Sequence, residues 1–126
     1  MTDDIVAFIR ARLDEDLRLA IKAHAATENA QGVAEWYRSS TDGIGVTGTN
    51  NMILTDGHGF LDEHISNHVV AHQPDRALRA VEAKRRIVDC VAPEPGWAPW
   101  DGSDDVLRAL ASEWSTHEDY RSEWTP

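Results

Sequence analysis

The N-terminal part of the chain carries apolar side chains three and four positions apart, which is typical of one face of a helix. These are Ile5, Phe8, Ile9, Leu13, Leu17, Ala20 and Ile21. Thr2 can cap such a helix, and Asp3 and Asp4 suit the positive end of its dipole. The pattern predicts a helix over residues 3–29. Its charged residues fall mostly outside the apolar stripe, and these are Arg10, Arg12, Asp14, Glu15 and Arg18.

From residue 33 the pattern changes to short segments rich in β-branched and aromatic residues. Residues 33–39, 44–49 and 52–55 are such segments. They are separated by Asp42-Gly43 and Asn50-Asn51, pairs that tolerate the positive φ of tight hairpin turns. The segments predict a three-stranded antiparallel meander over residues 33–56.

Helical periodicity returns in the second half of the chain. A helix is predicted over residues 60–72, and Pro74 then fits the first turn of a new helix over 74–91. Pairs with an acid four residues before a base, Asp75/Arg79 and Glu82/Arg86, favour the second of these helices. Residues 93–100 form a loop rich in proline and tryptophan. A short helix over 103–114, capped by Ser103, and a polar tail anchored by Tyr120 and Trp124 complete the prediction.

Length and composition predict one domain covering residues 1–126. The predicted fold class is α+β, with an N-terminal helix, a small meander and helices packed on one face of it, because a three-stranded sheet needs such cover. No apolar run approaches the ~20 residues of a membrane span. The acidic N-terminus lacks the pattern of a secretory signal, and the single cysteine, Cys90, cannot form an internal disulfide. These features predict a cytoplasmic protein that does not associate with membranes.

The net charge is −10, with 12 basic and 22 acidic residues, so general binding to nucleic acid is not expected. The acidic excess is strongest in residues 101–126, which leaves mimicry of nucleic acid as a third functional hypothesis. Residues 74–86 are an exception because they contain five basic and only two acidic residues. This basic segment predicts either a solvated helix face or a contact with a partner through Arg79, Lys84, Arg85 and Arg86.

The stretch EHISNHVVAHQP places His64, His68 and His72 four residues apart. On a helix, residues i and i+4 are neighbours, so either successive pair of imidazoles could share one zinc ion. No HExxH motif accompanies them, and a third ligand would have to come from residues such as Asp62, Glu63, His58, Cys90 or His117. The alternatives are therefore a polar helix edge, a metal-binding protein and a zinc hydrolase. No resident cofactor is expected, with zinc as the one possible exception.

Two further features carry weak chemical signals. Residues 43–48 fit the pattern GxGxxG, but turn residues precede them and a predicted strand follows, so a hairpin or bulge is favoured over a nucleotide loop. Cys90 lies beside Val91 near the end of the predicted helix 74–91 and is expected to be a small core residue. His24 continues the N-terminal apolar stripe and is expected to be packed and hydrogen-bonded.

Residues 68–89, HVVAHQPDRALRAVEAKRRIVD, resemble the hallmark segment of an uncharacterised family of small actinobacterial and actinophage proteins. Residues 3–16 and 117–124 are similar to the two ends of the same family. The resemblance implies no activity. It places seven residues in the family's most recognisable segment, namely His68, His72, Pro74, Glu82, Lys84, Arg85 and Arg86.

This chain departs from the family at two places. It lacks the Thr-Pro-Gly-Pro-Trp that precedes the first strand in relatives, where Trp36 is a substitute for the tryptophan. It also has residues 93–100 where some relatives carry a cysteine-rich insert suited to zinc. A metal role of that insert therefore does not transfer to this chain.

Because no catalytic constellation is complete, the sequence favours a small non-enzymatic accessory protein. Such a protein would act by binding another protein or a second copy of itself, and the resemblance suggests a phage or mobile-element origin.

Overall fold

The computed structural model describes residues 2–31, 35–38, 44–46, 52–54, 62–92 and 102–126. Four helices lie in these ranges: α1 (Thr2–Gln31), α2 (Glu63–Ala71), α3 (Pro74–Val91) and α4 (Ser103–Ala111). Three strands lie between α1 and α2: β1 (Trp36–Arg38), β2 (Ile44–Val46) and β3 (Met52–Leu54). Two 3-10 turns follow α4, at Ser112–Trp114 and Ser122–Trp124. The α+β class predicted from the sequence is confirmed.

Each strand lies within one of the segments that predicted it. The β1–β2 pair is antiparallel and regular, with Trp36 opposite Val46 and Arg38 opposite Ile44. The β2–β3 pair is also antiparallel, but its register shifts between Ile44 and Gly45. A Cβ at Gly45 would lie 2.7 Å from the ring of Tyr37. A larger residue at this position would therefore displace the ring of Tyr37, which is the exposed end of a flexible side chain. The loop 93–100 and residues 43, 47 and 48 of the GxGxxG pattern lie outside the described residues.

The chain divides into two compact units. Unit 1 contains Met1–Asp16 and Ala80–Pro126, and unit 2 contains Leu17–Arg79. The apolar residues buried in unit 1 are Ile5, Val6, Phe8, Ile9, Leu13, Val81, Val88, Val91, Leu107, Ala111 and Trp124. In unit 2, Ile44 and Val46 are fully buried, and Ala20 is nearly so. The apolar stripe of α1 is thus buried from Ile5 to Leu13 and again at Ala20, whereas Ile21 is exposed.

Three local predictions were wrong. Cys90 is exposed because it lies outside the buried face of α3, which contains Val88 and Val91. Ser103 does not cap α4; that position is held by Gly102, whose φ of 89° suits only a residue without a Cβ. Asp75 does not pair with Arg79 but lies 3.1 Å from Nε2 of His24.

Gln73 fixes the break between α2 and α3. Its Oε1 accepts from the backbone N–H of Trp36 at 3.0 Å, and its Nε2 donates to the Trp36 carbonyl at 3.4 Å and the Val70 carbonyl at 3.2 Å. The indole N–H of Trp36 donates to Thr27, whose hydroxyl donates to the Ala23 carbonyl. The corner at Gln73-Pro74 therefore attaches strand β1 to the helices of unit 2.

Replacing Gln73 with alanine is expected to lower the free energy of unfolding by about 1–2 kcal/mol, because two partly buried backbone groups of Trp36 lose their partner. Urea denaturation followed by far-ultraviolet circular dichroism measures this. Asn67→Ala is the matched control, because it removes an exposed amide from α2; its effect should stay within about 0.5 kcal/mol. Equal losses in the two variants would contradict the role of the Gln73 amide.

Candidate functional site

An open cleft of about 540 Å³ lies in unit 1 between helix α1 and the C-terminal tail. We call it the tail cleft. The wall from α1 comprises Asp4, Ala7, Phe8, Ala11 and Arg12, and the wall from the tail comprises residues 118–121 and Trp124. These two segments are at opposite ends of the sequence, so the cleft exists only once the tail has docked on α1.

Three aromatic rings form the apolar part of the tail cleft. The ring centroids of Phe8 and Trp124 are 5.0 Å apart, and Tyr120 contacts both rings edge-on at 6.0 and 5.8 Å. Edge-to-face contacts of this kind are favourable because the ring edge is positive and the ring face negative. Trp124 is only 6% exposed. The predicted anchoring of the tail by Tyr120 and Trp124 is confirmed.

Arg12 is the residue whose placement sequence analysis missed. It is 7% exposed, although it was assigned to the polar side of α1. Its guanidinium donates to Glu15 at 3.0 Å and lies 3.6 Å from a carboxylate oxygen of Asp119. It also stands over the ring of Phe8, 5.4 Å from the centroid. The signal that could have found it is its position four residues after Phe8, which puts both on one face of the helix.

His117 completes the surroundings of Arg12. The Nη1 of Arg12 lies 2.7 Å from Nδ1 of His117, and the backbone N–H of Asp119 donates to the same Nδ1 at 3.1 Å. Nε2 of His117 is also in contact with Nη1 of Arg12, so both ring nitrogens lie against the guanidinium. Among the described residues, the buried Nε of Arg12 has no hydrogen-bond acceptor, and a buried donor without a partner costs free energy.

The charged residues that line the tail cleft include more acidic than basic side chains. Arg121 pairs with Asp4 at 3.0 Å and with Glu123 at 3.8 Å, and its guanidinium stands 5.3 Å from the ring centroid of Trp124. Glu118 is exposed and has no ion pair within the described residues. Three carboxylates and two guanidinium groups therefore line the cleft, and the carboxylates are those of Asp4, Glu118 and Asp119. Glu15 and Glu123 do not line it but pair with Arg12 and Arg121.

A second polar cluster of unit 1 surrounds Asp16. The indole N–H of Trp114 donates to Asp16 at 3.2 Å. Burial has the largest effect on the pKa of Asp16 and raises it above 3.8. The hydrogen bond from Trp114 and the positive charge of Lys84 lower the pKa, whereas the negative charges of Glu113 and Glu15 raise it. The folded protein therefore holds a proton on this carboxyl more tightly than the unfolded chain does.

Asp16→Asn is expected to stabilise the protein at neutral pH by about 0.5 kcal/mol or less, since the site is only partly buried. The amide oxygen can still accept from Trp114, while no charge has to be desolvated. Because the folded pKa of Asp16 is raised, the wild-type protein loses stability relative to the variant as pH rises from 3.8 through the folded value. Denaturation curves at several pH values measure the difference, and a gap that widens towards low pH would contradict the assignment.

The four basic residues predicted to contact a partner have different environments. Lys84 pairs with Glu113 and stands over the ring of Trp114 at 5.5 Å. Arg85 pairs with Asp14, and Arg86 pairs with Glu82 at 3.1 Å, as its spacing predicts. Arg79 is exposed and has no ion pair within the described parts of the chain. Two of the four side chains are thus engaged in ion pairs with other elements of unit 1.

The three histidines lie in unit 2, on helix α2 and at its C-terminal end. His64, His68 and His72 are all exposed. The rings of His68 and His72 have centroids 4.4 Å apart and are tilted by 33°. Nδ1 of His72 lies 2.8 Å from the carbonyl oxygen of His68. That contact makes Nδ1 the donor and leaves Nε2 of His72 as the nitrogen suited to a metal.

Two of the suggested further ligands have structural roles. Asp62 caps α2, and its Oδ1 accepts from the backbone N–H groups of His64 at 2.8 Å and Ile65 at 3.3 Å. Glu63 lies 4.0 Å from Arg38. His58 lies outside the described residues. Among the residues that are described, no three His, Cys, Asp or Glu side chains converge as a metal site would require.

His24 is half-buried as predicted, and its Nε2 lies 3.1 Å from a carboxylate oxygen of Asp75. In the described part of the chain, no helix is both long and apolar enough to cross a bilayer.

The sequence matches a family of unknown function, DUF6221, over residues 2–126. The chain belongs to this family. No curated protein and no solved structure matches it. The family has no assigned activity, so the function is unknown and proposals must come from the geometry described above.

Proposed function

We propose that this chain is a small, non-enzymatic accessory protein that binds a partner protein through the tail cleft. The observation that supports the proposal most is the composition of that cleft. Its arginines are neutralised by neighbouring carboxylates, Phe8 and Trp124 are buried beside them, and the half-buried Tyr120 and the exposed Arg121 are the accessible part of this cluster. Aromatic and arginine side chains are the residues that most often dominate binding energy at protein interfaces.

The geometry supports docking more than catalysis. A general base needs a nitrogen that is free to take a proton from a substrate. Nδ1 of His117 is instead engaged with Arg12 and with the backbone N–H of Asp119. Arg12 in turn has fixed carboxylate partners. These contacts hold the tail on α1, so the side chains that make them have a structural role in the cleft.

Site-specific photo-crosslinking in the native host tests this proposal. A photoreactive amino acid at Glu118, on the exposed rim of the cleft, is expected to give one discrete adduct with a host protein. The same amino acid at Glu35, an exposed residue that does not line the cleft, should not give that adduct. Adducts of the same pattern from both positions, or none from Glu118, would contradict docking at the cleft. An adduct with a second copy of this chain would identify the partner as itself and the protein as a homodimer.

The proposal includes a cytoplasmic location and a phage or mobile-element origin. The location rests on the single cysteine, and the origin rests on the resemblance of residues 68–89 to proteins of actinobacteria and their phages. The proposed contact of a partner with Arg79, Lys84, Arg85 and Arg86 applies to a different surface of the chain and remains a separate prediction.

Zinc binding at the His68/His72 pair is a second candidate function. It is favoured by the hydrogen bond that fixes the tautomer of His72 and leaves Nε2 available. The tilted rings would have to turn for both nitrogens to reach one ion at about 2.0–2.1 Å.

Metal analysis of the native protein, purified without tag or chelator, tests this candidate. Near-stoichiometric zinc that disappears in His68→Ala is the expected result if the pair is a metal site. His24→Ala is the matched control, because it removes a histidine that pairs with Asp75. Zinc that persists in His68→Ala, or that is absent from the wild-type protein, would make α2 a polar helix edge.

A further inference from the structure

We infer that zinc at the His68/His72 pair joins two copies of this chain, each of which supplies its two histidines to one shared ion. This inference rests on the zinc-binding candidate proposed above and names the partner that completes its site. Three observations carry it: the hydrogen bond of His72, the few further ligands among the described residues, and an exposed isoleucine on the same face of α2.

The hydrogen bond of His72 is of the kind that zinc-binding histidines make with the ring nitrogen that does not touch the metal. Nδ1 of His72 lies 2.8 Å from the carbonyl oxygen of His68. Metal-bound imidazoles usually donate this second N–H to a carbonyl or carboxylate oxygen, which orients the ring and leaves Nε2 for the ion. The two rings have centroids 4.4 Å apart, and both residues are exposed. The end of α2 therefore presents two neighbouring imidazoles, one of them already held by such a bond.

Two imidazoles are only half of a closed zinc site, which takes four ligands in a tetrahedron. Of the other histidines that the structure describes, His24 and His117 are engaged with different side chains. His64 precedes His72 by eight residues, or about 12 Å along a helix, and is too far away to join the same ion. His58 lies outside the described residues and would supply only one further imidazole. One chain therefore offers fewer than four histidines for this ion.

A second copy of the chain supplies the two missing imidazoles at once. Identical chains most often assemble about a two-fold axis, so that the same patch of each copy faces its equivalent. A pair of histidines beside the axis then meets an identical pair, and four nitrogens surround the ion. The two positive charges of zinc also reduce the repulsion between chains that each carry a net charge of −10.

Ile65 supports a second copy on this face of α2. It precedes His68 by three residues and His72 by seven, which places the three side chains on one side of the helix. Ile65 is 52% exposed, and packing against its equivalent in the other copy would remove apolar surface from water. One isoleucine from each chain buries far less than the roughly 1,200–2,000 Å² of a stable interface. The dimer should therefore depend on the ion.

The test is a zinc titration of the metal-free, untagged protein, followed by sedimentation velocity. The probe is zinc sulfate. The protein is expected to be monomeric without metal and to become fully dimeric at about one zinc ion per two chains, the ratio that four shared imidazoles require. EDTA should return it to monomer. Magnesium sulfate is the control for divalent charge and should leave it monomeric, because Mg²⁺ prefers oxygen ligands to imidazole.

Four variants locate the effect, and all four replaced side chains are exposed, so each variant is expected to fold. His68→Ala should abolish zinc binding and the zinc-dependent dimer. His64→Ala is the matched control, because it removes a histidine of the same helix from outside the pair. Ile65→Lys brings like charges together across the interface and should weaken the dimer by about tenfold or more. Ile87→Lys makes the same change on α3 and should leave the dimer unchanged.

The outcomes separate this inference from the zinc-binding candidate on which it rests. Zinc bound by each chain separately, with the protein still monomeric, would overturn the dimer and leave the zinc site intact. Loss of zinc in His58→Ala would place a further ligand within the chain and would overturn the site of four shared imidazoles. A dimer that persists in EDTA or in His68→Ala would show that the ion does not join the copies. If the wild-type protein binds no zinc, both proposals are wrong.

Discussion

Trp124→Ala is expected to lower the free energy of unfolding by about 3–5 kcal/mol, the usual cost of truncating a buried tryptophan. The side chain is 6% exposed and contacts Phe8 and Tyr120. Its loss removes the apolar contact that holds the last residues of the chain against α1. Since Arg121 stacks on the same ring, its pair with Asp4 should weaken as well.

Chemical denaturation measures the loss, and hydrogen exchange of residues 117–121 tests its cause. Trp124→Phe keeps an aromatic ring in place and should lose less than half as much. If Trp124→Ala destabilises the chain while amide protection in residues 117–121 is unchanged, the tail does not depend on this anchor and the account is wrong.

Arg12→Ala is expected to cost about 2–4 kcal/mol. Breaking a buried ion pair by removing one partner costs about 3–5 kcal/mol, and the value is reduced here because Glu15 and Asp119 are half-exposed or more and can be solvated when left alone. The variant also loses the packing of the arginine stem over Phe8. The midpoints and slopes of denaturation curves give the difference in the free energy of unfolding between the variant and the wild-type protein.

Two variants separate charge from packing at this position. Arg12→Met keeps an unbranched stem over Phe8 but also loses the pairs with Glu15 and Asp119, so it should recover only the part of the loss that comes from packing. Arg10→Ala is the surface control on the same helix, because Arg10 is about half-exposed and lies 3.4 Å from Asp89; its cost should stay below about 1 kcal/mol. A loss for Arg12→Ala no larger than that for Arg10→Ala would show that burial of Arg12 contributes nothing.

Sequence periodicity predicted the helices well, because their apolar faces are long enough to be read without tertiary information. Helix α3 has the bounds that Pro74 and the spacing of Val81, Val88 and Val91 predict. The strands are only three residues each. Over so short a length, few residues carry the alternation that marks a strand, so sequence alone does not fix where each strand begins and ends.

The candidate site could not be predicted in the same way, because its two walls come from opposite ends of the chain. Arg12 was judged by its charge and not by its position after Phe8. His117 was considered only as a metal ligand, since no local pattern connects it with a residue 105 positions earlier. Cys90 shows the opposite error, because an apolar neighbour at Val91 does not bury a residue that points to the other side of the helix.

The pairing of Gln73 with Trp36 also has a consequence for association between chains. Strand β1 is at an edge of the sheet, and an edge strand presents backbone groups to which another chain can add a strand. The amide of Gln73 occupies both the N–H and the carbonyl of Trp36, the first residue of that strand. One side chain thus closes the start of a pairing site that could otherwise begin aggregation. Loss of this side chain would threaten the solubility of the folded protein as well as its stability.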